Sequence, residues 1–285
     1  MSNNTWWQNK GYENADTVGK QSKAKMALIT VLDQTENTPC IQNFKQKDYT
    51  MMKLNHGDKV LDVGCGLGFD ARKFSQFVGP EGHVIGIDIS NDFIDHAKKR
   101  SDSGQYSNIT FQQGDINHLA FKDNTFNAVH AERLFIHLKN PRAALAELIR
   151  VTKPGGRIVL ADPDFTCIHF SPKASKKIQT AINIIFSQMV ANPDICQQFA
   201  KLFSEAGLST ESRQDNILRT NYCEWDNLLH LEQMMQAAAS QGLITLNEGI
   251  AYLKTLKTAD KKCQFKGEHP RVTTLGIKSL NYHMK

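Results

Sequence analysis

The sequence lacks the patterns that mark several whole classes of protein. Its six cysteines lie far apart and form neither a Cys-x-x-Cys pair nor a cluster with histidine, so they indicate no zinc site and no disulfide framework. A run of about 18 uncharged apolar residues, the length that a membrane helix needs, is missing, and the opening MSNNTWWQNK has no apolar signal core. These absences predict a cytoplasmic protein without a membrane span.

A strong excess of one charge is also missing. The formal net charge is +5 over 285 residues, and the lysines are scattered along the chain. This composition does not indicate a basic face for nucleic acid or for an acidic membrane. The length suits one large α/β domain that can bury a substantial core.

Between residues 59 and 164, short β-branched runs alternate with amphipathic stretches. This alternation is typical of βαβ units and a parallel sheet. The predicted strands are KVLDV, HVIGIDI, NITFQQ, FNAVHA and GRIVLAD, with later strands near 209–217 and at 271–279. The predicted helices cover residues 69–78, 92–100 and 143–151, the last opened by Pro141, and Thr245 with Glu248 fits a capping box.

The run VLDVGCGLG, residues 60–68, ends a predicted strand in a glycine turn. Such a turn between a strand and a helix binds nucleotides in open α/β sheets. A P-loop would need Lys-Ser or Lys-Thr after the last glycine, and a dinucleotide fingerprint would need glycine where Phe69 stands. Asp62 and Asp70 flank the turn and would repel a pyrophosphate. The sequence therefore predicts a ligand that is cationic or neutral at this point.

Four motifs occur in order: VLDVGCGLG, GIDIS (86–90), GDINHLAF (114–121) and LIRVTKPGGRIVLADPDF (148–165). Together they resemble the motifs of class I S-adenosylmethionine-dependent methyltransferases, in the small-molecule branch that includes ubiquinone/menaquinone C-methyltransferases and natural-product methyltransferases. The resemblance covers roughly residues 55 to 165. It implies a Rossmann-like α/β fold with a mostly parallel seven-stranded sheet, helices on both faces, an antiparallel last strand and a helical cap or lid.

The same resemblance implies S-adenosylmethionine as cofactor and S-adenosylhomocysteine as product. It predicts an N-terminal helical cap over residues 1–55, an S-adenosylmethionine-binding core over 56–170, a helical lid with one sheet strand over 171–260, and a final strand and tail over 261–285. Aromatic side chains in a polar terminus need something to bury against. Trp6, Trp7 and Tyr12 therefore predict either a mobile cover over the site or a permanent strap.

The resemblance also assigns roles to single residues. Glycines at 64, 66 and 68 would let the backbone approach the methionine part of the cofactor. Asp62 would order that loop and face the ammonium, or merely cap backbone amides. Asp88 would accept the ribose hydroxyls, or cap the helix at Asp92 as an exposed residue. The full set expected to bind cofactor is Asp62, Gly64, Cys65, Gly66, Gly68, Asp88, Ile89, Asp115, Ile116 and His130.

Asp115 would read the adenine amine, with the Ile116 amide near the ring, or would cap a helix. Cys65 is expected to be a small packed residue and not a nucleophile, because neither a base nor a second cysteine accompanies it. Asn127 stands where the family usually has aspartate, and it keeps much of the same hydrogen-bonding capacity. We expect little consequence from this departure.

The sequence does not carry the motifs of several specialised methyltransferases. It lacks the aromatic turn of amino-directed base enzymes after the fourth strand, the Pro-Cys of cytosine enzymes beyond the glycine loop, and the glutamate pair of protein arginine enzymes. Glu132 alone does not form the acidic magnesium site of catechol-type enzymes, so no metal is expected. A small organic acceptor remains, methylated on O, C or N; a macromolecular acceptor or a non-catalytic binding protein stays open.

We expect the acceptor over the ends of the fourth and fifth strands. Candidates for the wall of that site are His130, Arg133, His137, Asp162 and Asp164. His137 is a possible general base, since an ordinary histidine pKa of about 6.5 suits deprotonation at neutral pH. It could equally cap the helix that begins near Pro141.

Overall fold

The computed structural model describes residues 20–102 and 106–282, which divide into two compact units. The core unit comprises residues 42–102, 106–162, 195–213 and 272–282, and the second unit comprises residues 20–41, 163–194 and 214–271. Both are discontinuous in sequence. The predicted cover or strap around Trp6, Trp7 and Tyr12 lies outside the described residues.

Helices and strands follow the alternation that the sequence predicts. In chain order they are α1 (Lys20–Glu36), α2 (Pro39–Met52), β1 (Lys59–Val63), α3 (Phe69–Val78), β2 (His83–Asp88), α4 (Asn91–Ser101), β3 (Ile109–Gln113), β4 (Phe126–Glu132), a 3₁₀ turn (Phe135–His137), α5 (Pro141–Val151), β5 (Thr152–Pro163), β6 (His169–Ser171), α6 (Lys176–Ser187), α7 (Ile195–Glu205), β7 (Ser209–Arg219), α8 (Tyr222–Leu229), α9 (Leu231–Ser240), α10 (Leu246–Lys261) and β8 (Lys266–Ile277).

The sheet has the strand order β3-β2-β1-β4-β5-β8-β6, with β7 paired to β8. Strands β1 to β5 pair in parallel, and the last strand runs antiparallel. The predicted Rossmann-like class is thus confirmed. The described sheet has eight strands where seven were predicted, and it includes the three-residue strand β6. The predicted division into four segments stays a prediction.

Local signals in the sequence explain where the elements begin. Ser90 caps α4, because its Oγ accepts the Phe93 N–H at 3.4 Å. Asn140 caps α5 in the same way, with Pro141 at the first helical position, so α5 begins two residues before the predicted 143. The predicted capping box of α10 is confirmed, since Thr245 and Glu248 exchange both bonds. Strand β8 begins at Lys266, five residues before the prediction.

In the core unit, the buried apolar side chains lie where α2, α3 and α4 meet the sheet. Helix α3 packs on β1 and β2, and α4 packs on β2 and β3. Phe74 and Met52 are fully buried there. Four of the five residues of β1 are buried, as in a central parallel strand covered on both faces. This packing fixes β1, and with it the loop that follows.

Arg150 braces the segment between β3 and β4. Its guanidinium donates to the carbonyls of Leu119 and Phe121 at 2.8 and 2.7 Å. It also pairs with Glu147 at 2.7 Å and Asp123 at 2.8 Å. The planar guanidinium of arginine has five N–H donors and can serve all four acceptor residues at once, whereas the ammonium of a lysine has only three N–H donors.

We predict that Arg150→Lys lowers the free energy of unfolding by about 1–3 kcal/mol, because buried carbonyls lose their donors. Arg142→Lys is the matched control. Its pair with Glu205 is largely exposed, so its cost should stay within about 0.5 kcal/mol. Urea unfolding of both variants measures the difference, and equal costs would contradict the bracing role.

Candidate functional site

The carboxyl ends of β1, β2 and β4 lie side by side at one edge of the sheet. Strand β1 stands between β2 and β4, and its Asp62 pairs in register with Gly86 and with His130. In open α/β sheets, ligands bind beyond this edge, where the strand order changes direction. The sequence-predicted residues on these three strands are therefore brought together by the topology.

The glycine loop after β1 uses its glycines for different reasons. Gly64, Gly66 and Gly68 all have positive φ, at 70°, 50° and 74°. A Cβ at position 68 would lie 2.7 Å from the Phe111 ring, whereas a Cβ at position 66 would meet no atom within 4 Å among the described residues. Packing inside the protein thus requires glycine at 68, and the space above Gly66 is open.

Asp88 at the end of β2 holds this loop in place. One of its carboxylate oxygens accepts the Gly66 N–H at 3.0 Å, and the other accepts the Ser90 N–H at 2.9 Å. Burial, as the largest influence, raises the pKa of Asp88 despite these bonds. The reading of Asp88 as an exposed helix cap is wrong, because the side chain is buried and Ser90 caps the helix.

Asp62 pairs with His130 across β1 and β4. Oδ1 of Asp62 accepts from Nδ1 of His130 at 2.9 Å, and both side chains are buried. Neither Oδ2 of Asp62 nor Nε2 of His130 has a hydrogen-bond partner among the described residues. Asp62 therefore does not cap backbone amides in this part of the chain, and the predicted loop-ordering role is carried by Asp88. One buried carboxylate oxygen remains for a ligand.

A lysine that sequence reasoning missed lies beside this pair. Nζ of Lys45, on α2, lies 2.7 and 2.9 Å from the two oxygens of Asp70 and 2.8 Å from Oε2 of Glu132. The Tyr49 hydroxyl also donates to Asp70 at 2.6 Å. Lys45 is 2% exposed. Its place on the apolar stripe of α2, next to Phe44, was the signal that could have found it.

The side chains Lys45, Asp62, Asp70, His130 and Glu132 form what we call the charge cluster. Burial is the largest influence on Asp70 and would raise its pKa, but the charge and hydrogen bond of Lys45, together with the charge of His130, lower it overall. Burial would lower the pKa of His130, but the bond to Asp62 and the nearby carboxylates raise it. Burial raises the pKa of Asp62.

Three members of the cluster are also spaced for a metal ion. Ligand atoms of Asp62, Asp70 and His130 lie within 4.8 Å of one another. Asp70 already accepts the Lys45 ammonium with both oxygens. A divalent ion would have to compete with that ammonium, so the spacing alone does not argue for a metal.

The ends of β2 and β3 complete the site. Ile89 is 64% exposed, unusual for a large apolar side chain, and its carbonyl accepts from the Gln113 side chain at 2.9 Å. After β3, Oδ1 of Asp115 accepts the N–H and side-chain amide of Asn117 at 2.9 and 2.8 Å. Asp115 therefore closes a turn and caps no helix, and Ile116 is buried beside it.

The comparisons with known proteins agree with this geometry. The family model described as a methyltransferase domain matches residues 54–233, more than half of the chain. The chain belongs to this methyltransferase family.

Relatives and solved structures extend the match. The chain is 30% identical over 159 residues to the ubiquinone/menaquinone biosynthesis C-methyltransferase UbiE of Saccharophagus degradans, covering 53% of the chain and 64% of that protein. It is 28% identical over 218 residues to an uncharacterized 37.1 kDa protein in transposon TN4556 of Streptomyces fradiae, covering 76% and 62%. The match thus spans less than two thirds of either relative.

Among solved structures, the YcgJ protein of Bacillus subtilis superimposes with a TM-score of 0.58 at 20% identity, covering 82% of this chain and 97% of that one. At this identity the likeness shows the fold. Within the described residues, no helix of the methyltransferase chain has both the length and the apolar character to cross a membrane.

Cys65 behaves as a packed residue of the methyltransferase domain. It is 8% exposed, and burial, with the charges of Asp62 and Asp88, raises the pKa of its thiol well above the usual value. A protonated buried thiol is a poor nucleophile. Asn127, the departure from the family pattern, accepts the Lys59 N–H at 3.0 Å and the Lys153 ammonium at 2.8 Å.

The candidates for the acceptor wall fall in different surroundings. Arg133 adopts a φ of 53° directly after β4. Asp162 is buried in β5. Asp164, in the second unit, accepts the backbone N–H of Thr166 at 2.7 Å and therefore closes a local turn.

His137 ends the 3₁₀ turn, and Asn140 is the residue that caps α5. The reading of His137 as that cap is therefore wrong. Neighbouring protein desolvates part of the ring and lowers the pKa of His137, and the residue is otherwise exposed. Both observations leave the ring neutral at neutral pH.

We predict that Gly68→Ala destabilises the protein more than Gly66→Ala. Both changes place alanine at positive φ, which costs about 1–2 kcal/mol. Only position 68 adds the collision with Phe111, worth about 1–3 kcal/mol more. Urea unfolding measures both, and Phe111→Leu combined with Gly68→Ala should recover part of the difference. Equal losses at 66 and 68 would contradict the packing argument.

Proposed function

We propose that this methyltransferase domain binds S-adenosylmethionine and transfers its methyl group to a small organic acceptor. The observation that carries the proposal is the buried Oδ2 of Asp62, which has no partner among the described residues. A buried carboxylate oxygen is costly unless a donor meets it. The α-ammonium of the cofactor is a donor of the right charge.

The charge of the surroundings supports a cationic ligand. Asp62, Asp70 and Glu132 bring three negative charges, and Lys45 with a protonated His130 brings two positive ones. One negative charge remains in excess. A phosphate at this place would be repelled, whereas an ammonium would be attracted.

The other sequence-predicted residues fit the rest of the cofactor. The open space over Gly66 admits a ligand close to the backbone. In this proposal Asp88, which two backbone amides already hold, accepts the ribose hydroxyls. Exposed Ile89 offers an apolar surface to an adenine ring, and Asp115 keeps one carboxylate oxygen outside its turn for the exocyclic amine. When bound, S-adenosylmethionine supplies a methyl group activated by a sulfonium.

The proposed acceptor class rests on the relatives. Besides UbiE, they include an arsenite methyltransferase of Halobacterium salinarum, matched over 37% of this chain, and a sterol 24-C-methyltransferase of Gibberella zeae, matched over 36%. These names indicate small molecules and leave the acceptor atom open. His137, neutral at pH 7, is the proposed proton acceptor if the substrate must lose a proton. Positioning alone can supply about 7–11 kcal/mol of the barrier.

We predict that Asp62→Asn weakens S-adenosylhomocysteine binding by about 1.5–3 kcal/mol, because a hydrogen bond to a charged group is lost. Asparagine keeps the shape of aspartate, so the fold should persist. Isothermal titration calorimetry with S-adenosylmethionine, S-adenosylhomocysteine and NAD measures the effect. Unchanged affinity in the folded variant would remove Asp62 from the site, and NAD binding by the wild type would overturn the proposal.

Asp88→Ala should weaken binding by about 1.5–3 kcal/mol at least, since the ribose loses a charged acceptor and the glycine loop loses the acceptor of the Gly66 N–H. Asp95→Ala is the matched control, because Asp95 is an exposed carboxylate on the neighbouring α4. A subsequent screen with labelled S-adenosylmethionine over phenols, quinols, sterols and arsenite tests the acceptor class. Transfer to RNA or protein alone would contradict it.

A further inference from the structure

Lys45 is the one member of the charge cluster that lies before the matched family domain, which begins at residue 54. It reaches the cluster from α2, where Tyr49, one turn further on, donates to the same Asp70. Its ammonium contacts carboxylates from two separate elements, Asp70 at the start of α3 and Glu132 at the end of β4. A single cation thus serves two buried anions.

Two carboxylates that share a buried place cannot both stay ionised without a cation. If the Lys45 charge were removed, Asp70 and Glu132 would retain one proton between them up to neutral pH or beyond. Asp70 lies close to Asp62, since their ligand atoms fall within the 4.8 Å set that includes His130. A protonated Asp70 would become a hydrogen-bond donor next to the free oxygen of Asp62.

We propose that Lys45 is a positioning residue for the cofactor site: by keeping Asp70 and Glu132 ionised, it prevents Asp70 from donating a hydrogen bond to Oδ2 of Asp62 and leaves that oxygen available to the ammonium of the ligand. This role rests on the proposed function. It assigns to α2 a part in cofactor binding that acts through the two carboxylates and needs no contact between Lys45 and the ligand.

Among the described residues, titratable side chains face Lys45 from its own helix, from α3 and from β4. Tyr49 faces it from its own helix, Asp70 from α3, and Glu132 with His130 from β4. Asp62, on β1, interacts electrostatically with Lys45, Asp70 and His130. Of these, only Lys45 and a protonated His130 are cations, so the loss of Lys45 halves the positive charge.

The test compares Lys45→Met with Lys47→Met. Lys47 lies on the same helix, is exposed, and stacks over Phe44 at 5.8 Å. Affinity for S-adenosylhomocysteine, which carries the ammonium without the sulfonium, is measured by calorimetry from about pH 6 to about pH 8.5. Parallel titrations in buffers of different ionisation enthalpy count the protons released on binding.

We expect Lys45→Met to bind more weakly than wild type, with a deficit that grows by up to about tenfold per pH unit as the pH falls. Binding to this variant should release one more proton than binding to wild type. Lys47→Met should match wild type in both respects. If Lys45→Met binds like Lys47→Met at every pH, the proposal is wrong.

A double variant separates charge from packing. Asp70→Asn in the Lys45→Met background removes the surplus carboxylate and restores the net charge of the cluster, so it should recover most of the lost affinity. Asp70→Asn alone removes the one negative charge that the cluster has in excess, so it should weaken binding of the ammonium without a new proton release. A double variant as weak as Lys45→Met would show that Lys45 acts by packing only, and would overturn the proposal.

Unfolding of the ligand-free variants keeps this test separate from the proposed function. In Lys45→Met, the carboxyl that keeps the proton has a higher pKa in the folded state than in the unfolded chain. The stability that this proton gives the folded protein is fully present below the unfolded pKa, and it is lost as the pH rises through the folded pKa. The Tm of Lys45→Met should therefore fall increasingly below that of Lys47→Met toward about pH 8.5, and the double variant should close the gap. If wild type binds neither cofactor form, the proposed function fails. Absence of this pH trend would then count against Lys45 independently.

Discussion

The requirement that buried carboxylates find cations governs the centre of this protein. Asp62, Asp70 and Glu132 come from three elements that the sheet topology forces together, and each would be costly to bury alone. Lys45 and His130 supply charge from α2 and β4. The positions of α2, α3 and β4 relative to β1 are thus coupled by electrostatics as well as by the apolar core around Phe74.

The two aspartates that end β1 and β2 have divided tasks. Both oxygens of Asp88 accept backbone N–H groups, which fixes the glycine loop. One oxygen of Asp62 accepts from His130, and the other has no partner among the described residues. The same residue type at neighbouring strand ends therefore fixes the backbone in one place and leaves a buried acceptor oxygen in the other.

Much of this arrangement could be predicted from the sequence, because the decisive signals are local. Alternating β-branched runs and glycine turns predicted the sheet and the helices, and Thr245 with Glu248 predicted a capping box that is present. The strand-end aspartates were found through the resemblance of their motifs to class I methyltransferases, and the parallel strands bring them to a common edge. The reason for glycine at position 68 could not be found, since it depends on Phe111, which is 43 residues away and enters through the packing of β3. Lys45 was missed for the same reason: its partners are distant in sequence, and a lysine on a helix is usually read as solvated.

The contacts of Lys45 also bear on where the methyltransferase domain begins. The family match begins at residue 54, and by sequence similarity alone the chain could be cut there. Such a cut would remove Lys45 and Tyr49 and would leave Asp70 on α3 and Glu132 on β4 without the cation that they share. A fragment that begins at residue 54 would retain every motif of the resemblance and lose the cation that pairs with two of its carboxylates, so in this protein the electrostatic unit begins before the matched domain.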